Sequence, residues 1–211
     1  MRSLRWLAVM LVMLSSVVLI AGCDKSTSQS GADMKFSPVK TVFKNTDVTG
    51  LDYAKDFALT DHNGVRRTLA DFRGKVVLVF FGYTRCPDVC PTTMAEMAAV
   101  MTKLGESAAR VQVLFITLDP ARDTQALLSK YVPAFDPRFL GLVGDQAATE
   151  KTAKEFKIFF QKVDGKTPDA YTIDHTSGSY VFDAQGRVRL FVRHGEGGVA
   201  IAHDLAILLK Q

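Results

Sequence analysis

Residues 76–91 read Val-Val-Leu-Val-Phe-Phe-Gly-Tyr-Thr-Arg-Cys-Pro-Asp-Val-Cys-Pro. The first seven, Val76 to Gly82, form an unbroken β-branched and aromatic run, which predicts a strand buried on both faces in a parallel or mixed sheet. A loop carrying two cysteines and two prolines follows. Beyond it, Thr92 to Leu104 places Met94, Met97, Met101 and Leu104 at helical spacing. Val111 to Leu118 (VQVLFITL) is a second run of the buried-strand type. Strand, helix and strand in this order make a βαβ unit.

Outward from this unit the same grammar continues. Upstream, Asp56 to Thr60 and Val65 to Leu69 flank the turn-forming Asp61-His62-Asn63-Gly64 and predict a small hairpin. Downstream, 124–131 and 146–156 read as helices, Ser179 to Phe182 and Val188 to Val192 as a hairpin closed by Asp183-Ala-Gln-Gly186, and Ala200 to Leu209 as a final helix. A βαβ half followed by a ββα half is the thioredoxin-like layout: an α/β domain with a central mixed β-sheet flanked by helices. No internal repeat is evident.

The chain has 211 residues, which suits one domain plus extras. Apolar residues make up 47% and charged residues 23%, proportions that exclude a disordered chain, a collagen-like repeat and a multi-span membrane protein. Arg2 and Arg5 precede the uncharged run Trp6 to Ile20, and Ala21-Gly22 lead into Cys23, the three-part layout of a secretory signal. The alternative is an uncleaved anchor over residues 6–22. Ile20-Ala21-Gly22-Cys23 resembles the lipobox of bacterial lipoproteins, in which the cysteine is acylated and becomes the new N-terminus. The expected organisation is a signal peptide over 1–22, a polar tether from a lipidated Cys23 over 23–50, and the thioredoxin-like domain over 51–211. Such a protein sits in the bacterial cell envelope, anchored to the outer face of the cytoplasmic membrane. Removal of the signal lowers the formal charge from +4 to 24 basic against 22 acidic residues. With no basic run or aromatic-basic interleaving, nucleic acid is not an expected partner.

Lipidation of Cys23 leaves Cys86 and Cys90 as the thiols of the mature chain. Pro87 suits a first helical position, so Cys86 is expected at or near a helix N-cap, where the dipole favours the thiolate. Four residues apart, the two sulfurs can share one face. They can cycle with a disulfide, hold a soft metal such as Cu(I), or form a static bridge that removes little chain entropy. The spacing is C-x-x-x-C, one residue wider than that of thioredoxin-type redox sites. A metal needs a third ligand. His62 is expected in solvent at the hairpin turn, His203 on the last helix, and His194 at a strand end. His175 falls in a loop ahead of the strand at 179–182, facing the cysteine loop. Thiol oxidoreductases of this fold place a cis-proline there, and this chain has none between Pro168 and the strand. Two thiolates and this imidazole suit Cu(I) in trigonal coordination, or Cu(II) with an added ligand, with Asp174 available to orient the ring. The Met94, Met97 and Met101 face is expected to be core packing. Asp119-Pro-Ala-Arg122-Asp123-Thr124, at the end of a strand, is either a partner-facing or site-supporting element or a helix entry capped by Asp123 or a neighbour.

These residues carry a family resemblance. The run from Asp56 to Pro91, with Asp56-Phe57, Leu59-Thr60-Asp61, Gly64, Leu69, Asp71-Phe72 and Gly74-Lys75 ahead of the strand, resembles the Sco/SenC family of copper-binding, membrane-tethered thioredoxin-like proteins. The segments Ile116 to Thr124 and Asp174-His175-Thr176 match in the same order. The resemblance implies one copper ion held by Cys86, Cys90 and His175. It also implies a role in building the copper-A centre of cytochrome c oxidase, as a copper chaperone or as a reductant of that centre's thiols. Implied partners are the oxidase subunit that carries the centre, other copper chaperones and thioredoxin-like reductants. On that reading the chain is a metallochaperone rather than an enzyme. The alternative is a thiol-disulfide oxidoreductase with Cys86 as nucleophile and Cys90 as resolving thiol; a peroxidase has less in its favour.

Overall fold

A computed structural model describes residues 42–167 and 169–211. The predicted buried strand is β4 (Val76–Gly82), the second is β5 (Val111–Thr117), and every residue of both is buried. They lie side by side in parallel, with Val76 opposite Val111 and Gly82 opposite Thr117. The helix between them, α1, spans Val89–Leu104. Around this unit stand β1 (Thr46–Asp47), β2 (Leu59–Asp61), β3 (Arg66–Arg67), β6 (Leu140–Val143), β9 (Gly178–Phe182) and β10 (Val188–Arg193). They complete an eight-stranded mixed sheet in the order β1-β10-β9-β4-β5-β6-β2-β3. A separate antiparallel ribbon pairs β7 (Phe160–Val163) with β8 (Thr172–His175). The other α-helices are α2 (Gln125–Tyr131), α3 (Gln146–Glu155) and α4 (Gly198–Leu208), with short 3-10 turns at Leu69–Phe72 and Gly105–Arg110.

Alternation along β4 explains its composition. Successive side chains point to opposite faces. Phe80 and Gly82 face the side where Cys90 of α1 lies, whereas Phe81 meets Phe156, just past α3, with ring centroids 5.2 Å apart. Both faces are covered, so neither accepts a polar residue; each fully buried phenylalanine contributes about 1.5–3 kcal/mol by transfer from water. Met94, Met97 and Met101 are buried in the same core, as their spacing predicts.

Several expectations change. Residues 44–49 belong to the domain and not to a tether: Thr46 pairs with Phe191, and the buried Asp204 carboxylate accepts the amides of Lys44 and Asn45. His62 is not solvated. It is 9% exposed, and its Nδ1 accepts the Gly141 amide at 3.0 Å, which ties β2 to β6. The first helix starts at Val89 rather than Thr92. Pro91 fits there because the first-turn amides of a helix have no intrahelical acceptor to lose. The signal segment, Cys23 and most of the expected tether lie outside the described residues. Among those described, no helix is long and apolar enough to cross a membrane.

Candidate metal centre

β4 delivers the cysteine loop at its carboxyl end, where open α/β sheets commonly carry their sites. The loop is pinned from below by Asp123. That carboxylate is fully buried and accepts the Thr84 amide at 2.9 Å and hydroxyl at 2.5 Å, and the Thr117 hydroxyl of β5 at 2.6 Å. Burial raises the Asp123 pKa, against the opposing pull of these donors. Asp123 is therefore a loop fastener and not a cap. The cap of α2 is Thr124, whose side chain accepts from the Leu127 amide.

Cys86 lies two residues ahead of the α1 N-cap, which is Asp88. The expected proximity to the helix start takes a different form. Asp88 makes no side-chain cap bond, and the Cys86 sulfur instead accepts the Cys90 amide at 3.4 Å, so a sulfur serves one of the orphan donors. Cys90, inside the helix, is wholly buried, whereas Cys86 is half-buried; both are free thiols. Room for the Cys90 sulfur comes from Gly82, where any Cβ would stand 2.8 Å from it. Burial, first, and a hydrogen bond with the Cys86 side chain drive the Cys90 pKa far above the ordinary thiol range.

His175 is the last residue of β8, not part of a loop. Its Nδ1 lies 3.0 Å from the Thr176 carbonyl oxygen and its Nε2 3.7 Å from the Cys90 sulfur. A carbonyl can only accept, so the ring proton belongs on Nδ1 and the Nε2 lone pair faces the sulfur. Burial holds the His175 pKa below its ordinary value, which keeps that lone pair free. Asp174 does not orient the ring: it is exposed, and the Thr176 carbonyl takes the role. The Tyr83 ring stands edge-on to the imidazole at 6.2 Å.

The other histidines stay apart from this centre. His194 pairs with the Thr93 hydroxyl and His203 with Asp204. Among the described residues no three Cys, His, Asp or Glu side chains already stand close enough to hold a metal ion. The Cys90–His175 pair is in place, and a metal held by all three donors would require Cys86 to close onto it. Asp123 supports the site, one of the roles its segment allows, whereas Thr84 and Gly82 are not singled out by the sequence, although Gly82, ending an otherwise bulky run, is the signal for a close approach.

The fold and the site together define a class: a thioredoxin-like domain in which a C-x-x-x-C loop faces a histidine where oxidoreductases of the fold carry cis-proline, and no cis peptide occurs among the described residues. The profile of the SCO1/SenC family matches residues 46–210, and the chain belongs to that family. An SCO2-like protein of Rickettsia felis is 37% identical over 133 residues, covering 63% of this chain and 65% of that protein; the match thus spans just under two thirds of the relative. Bradyrhizobium japonicum ScoI, solved with copper bound, is 40% identical with a TM-score of 0.67, covering 72% of this chain and 97% of that one. The apo Sco1 protein of Thermus thermophilus is 38% identical with a TM-score of 0.71, covering 79% and 97%.

Proposed function

We propose that this domain binds one copper ion through Cys86, Cys90 and His175 and passes it on for assembly of the copper-A centre of cytochrome c oxidase. The observation that carries the reading is the 3.7 Å between Cys90 Sγ and His175 Nε2. Thiolate and imidazole bonds to a d10 ion of about 2.3 and 2.0–2.1 Å, spread at trigonal angles, put sulfur and nitrogen roughly 3.8 Å apart. The donor set, two sulfurs and one imidazole, suits Cu(I). Copper bound in the Bradyrhizobium relative supports the choice of metal. The copper-A recipient rests on family membership.

Copper is cargo here. Binding displaces the Cys90 proton, and the half-buried Cys86 is the side from which an incoming thiolate or imidazole replaces ligands one at a time. Cys23, lipidated, holds the domain at the outer face of the bacterial cytoplasmic membrane, and residues 24 to about 42 act as the spacer. The partners on this reading are the copper-A subunit and the chaperones or thioredoxin-like reductants that load or reduce this domain.

A second reading is favoured by the unequal burial of the thiols. Cys86, as thiolate, attacks a partner's disulfide and releases one partner thiol; Cys90 then gives up its proton and attacks the Cys86 sulfur, freeing the second thiol and leaving a Cys86–Cys90 disulfide. The partner gains two electrons and this domain loses two. His175→Ala separates the readings. Copper binding is expected to weaken at least tenfold while dithiol oxidation persists; unchanged Cu(I) affinity in that variant would rule out the imidazole as a ligand.

A further inference from the structure

The segment Asp119-Pro-Ala-Arg122-Asp123-Thr124 leads from β5 to α2, and the chemistry above uses none of it directly. Its side chains nevertheless reach both arms of the site. Asp123 holds the cysteine arm through Thr84. Arg122 turns the other way. Its side chain is only 9% exposed; Nη1 donates to the carbonyls of Asp169 at 3.1 Å and Tyr171 at 2.9 Å, and Nε pairs with Asp119. The guanidinium lies 3.4 Å from the Tyr171 ring centroid, and the Tyr171 hydroxyl returns to Asp119 at 2.7 Å. Nη2 is buried without a hydrogen-bond partner, a cost the stacking offsets.

Tyr171 immediately precedes β8, and β8 ends in His175. The ribbon pairs only with itself, through β7, so the main sheet gives β8 no ladder of hydrogen bonds. Arg122 supplies a tie from the end of β5 to the start of that strand. We propose that Arg122 is the positioning residue for His175: by clamping Tyr171 against Asp119 it fixes β8 so that the imidazole faces Cys90, and it thereby sets metal affinity while leaving the dithiol to the separate Asp123–Thr84 tie. A planar fork is needed to reach both carbonyls and stack on the ring, and lysine lacks it. The inference rests on the copper reading.

The test measures Cu(I) affinity by chelator competition, and the dithiol–disulfide equilibrium in glutathione buffers, on one set of proteins: parent, Arg122→Gln, Arg122→Lys, His175→Ala and the double variant Arg122→Gln/His175→Ala. Arg122→Gln is expected to lose about 10–100-fold in affinity, the range typical when a group that orients a ligand is removed. Arg122→Lys should not restore it, the double variant should bind no more weakly than His175→Ala, and the dithiol equilibrium should stay within a factor of two throughout. Parent-like affinity in Arg122→Gln beside a loss in His175→Ala overturns the inference. So do losses that add in the double variant, or a tenfold shift of the dithiol equilibrium in Arg122→Gln. Parent-like affinity in His175→Ala instead removes the copper reading, and this inference with it. If Arg122→Gln does not fold, as judged by circular dichroism, Tyr171→Phe keeps the ring and loses only the bond to Asp119. A several-fold loss of affinity with an unchanged dithiol equilibrium is then expected, and no loss overturns the proposal.

Discussion

The sulfur of Cys90 and Nε2 of His175 meet at 3.7 Å although 85 positions separate them in the chain. One group rides on the first turn of α1 and the other on the last residue of a ribbon outside the main sheet. The Thr176 carbonyl orients the ring, and the Cys90 amide donates to the Cys86 sulfur. The Cys90–His175 pair is thus set in advance, and only Cys86 would have to move to complete a three-donor site, which limits the ordering cost of binding.

Gly82 leaves the space that Cys90 occupies. In Gly82→Ala the new methyl would stand 2.8 Å from the Cys90 sulfur and 3.0–3.1 Å from the rings of Phe80 and Phe115. Overpacking of this kind costs about 1–3 kcal/mol. Denaturant unfolding should show that loss, and copper affinity should fall with it; a variant with parent stability and affinity would mean that the strand end yields freely.

The two thiols should differ in reactivity. Cys90 is buried and held protonated, whereas Cys86 is reachable. Brief treatment of the native, reduced domain with iodoacetamide should label Cys86 well ahead of Cys90, as read by peptide mass spectrometry. Equal labelling would contradict the assignment of roles.

His62 makes stability depend on pH. Burial lowers its folded pKa below the ordinary 6.5, against a smaller opposing effect of Asp61. The neutral ring accepts the Gly141 amide and the charged ring cannot. Stability from this contact is thus complete above about pH 6.5 and is lost as pH falls through the depressed folded value. His62→Asn, whose side-chain oxygen can accept the same amide, should flatten the fall in melting temperature between pH 7 and 5. An unchanged slope would assign the dependence elsewhere.

Asp204 fastens the entry of the chain. It accepts the Lys44 and Asn45 amides and the Asn45 side-chain amide at 2.8–3.0 Å. Asp204→Ala strands these donors and should cost roughly 2–3 kcal/mol, as for buried hydrogen bonds to a charged group. Truncation at residue 51 should destabilise the domain where truncation at 42 does not, as thermal unfolding of the two would show.

The strands that are apolar on both faces were legible, because nothing else reads as Val76 to Gly82 does, and so were both cysteines and His175 as candidate ligands. The short edge strands were not: β1 has two residues, both exposed, and owes its place to pairing with β10 rather than to its own pattern. The β7–β8 ribbon is hidden for the same reason, since Phe160–Val163 is largely exposed and its two apolar residues do not alternate with the polar ones. His62 was misjudged because a turn sequence gives no sign that a distant strand's amide will close over it. The orienting groups are only half legible. The Thr176 carbonyl belongs to backbone and leaves no sequence signal, and Asp123 reads equally as a cap or as a support for the site until its bonds to Thr84 and Thr117 decide for the support.

On the proposed reading the two sulfurs and the imidazole together hold one copper ion. The copper content of domain loaded with Cu(I) under reducing conditions and then desalted, compared with a Cys86→Ser/Cys90→Ser variant treated identically, decides it. One copper per chain in the parent and next to none in the variant is the expected result; equal copper in both would contradict the claim.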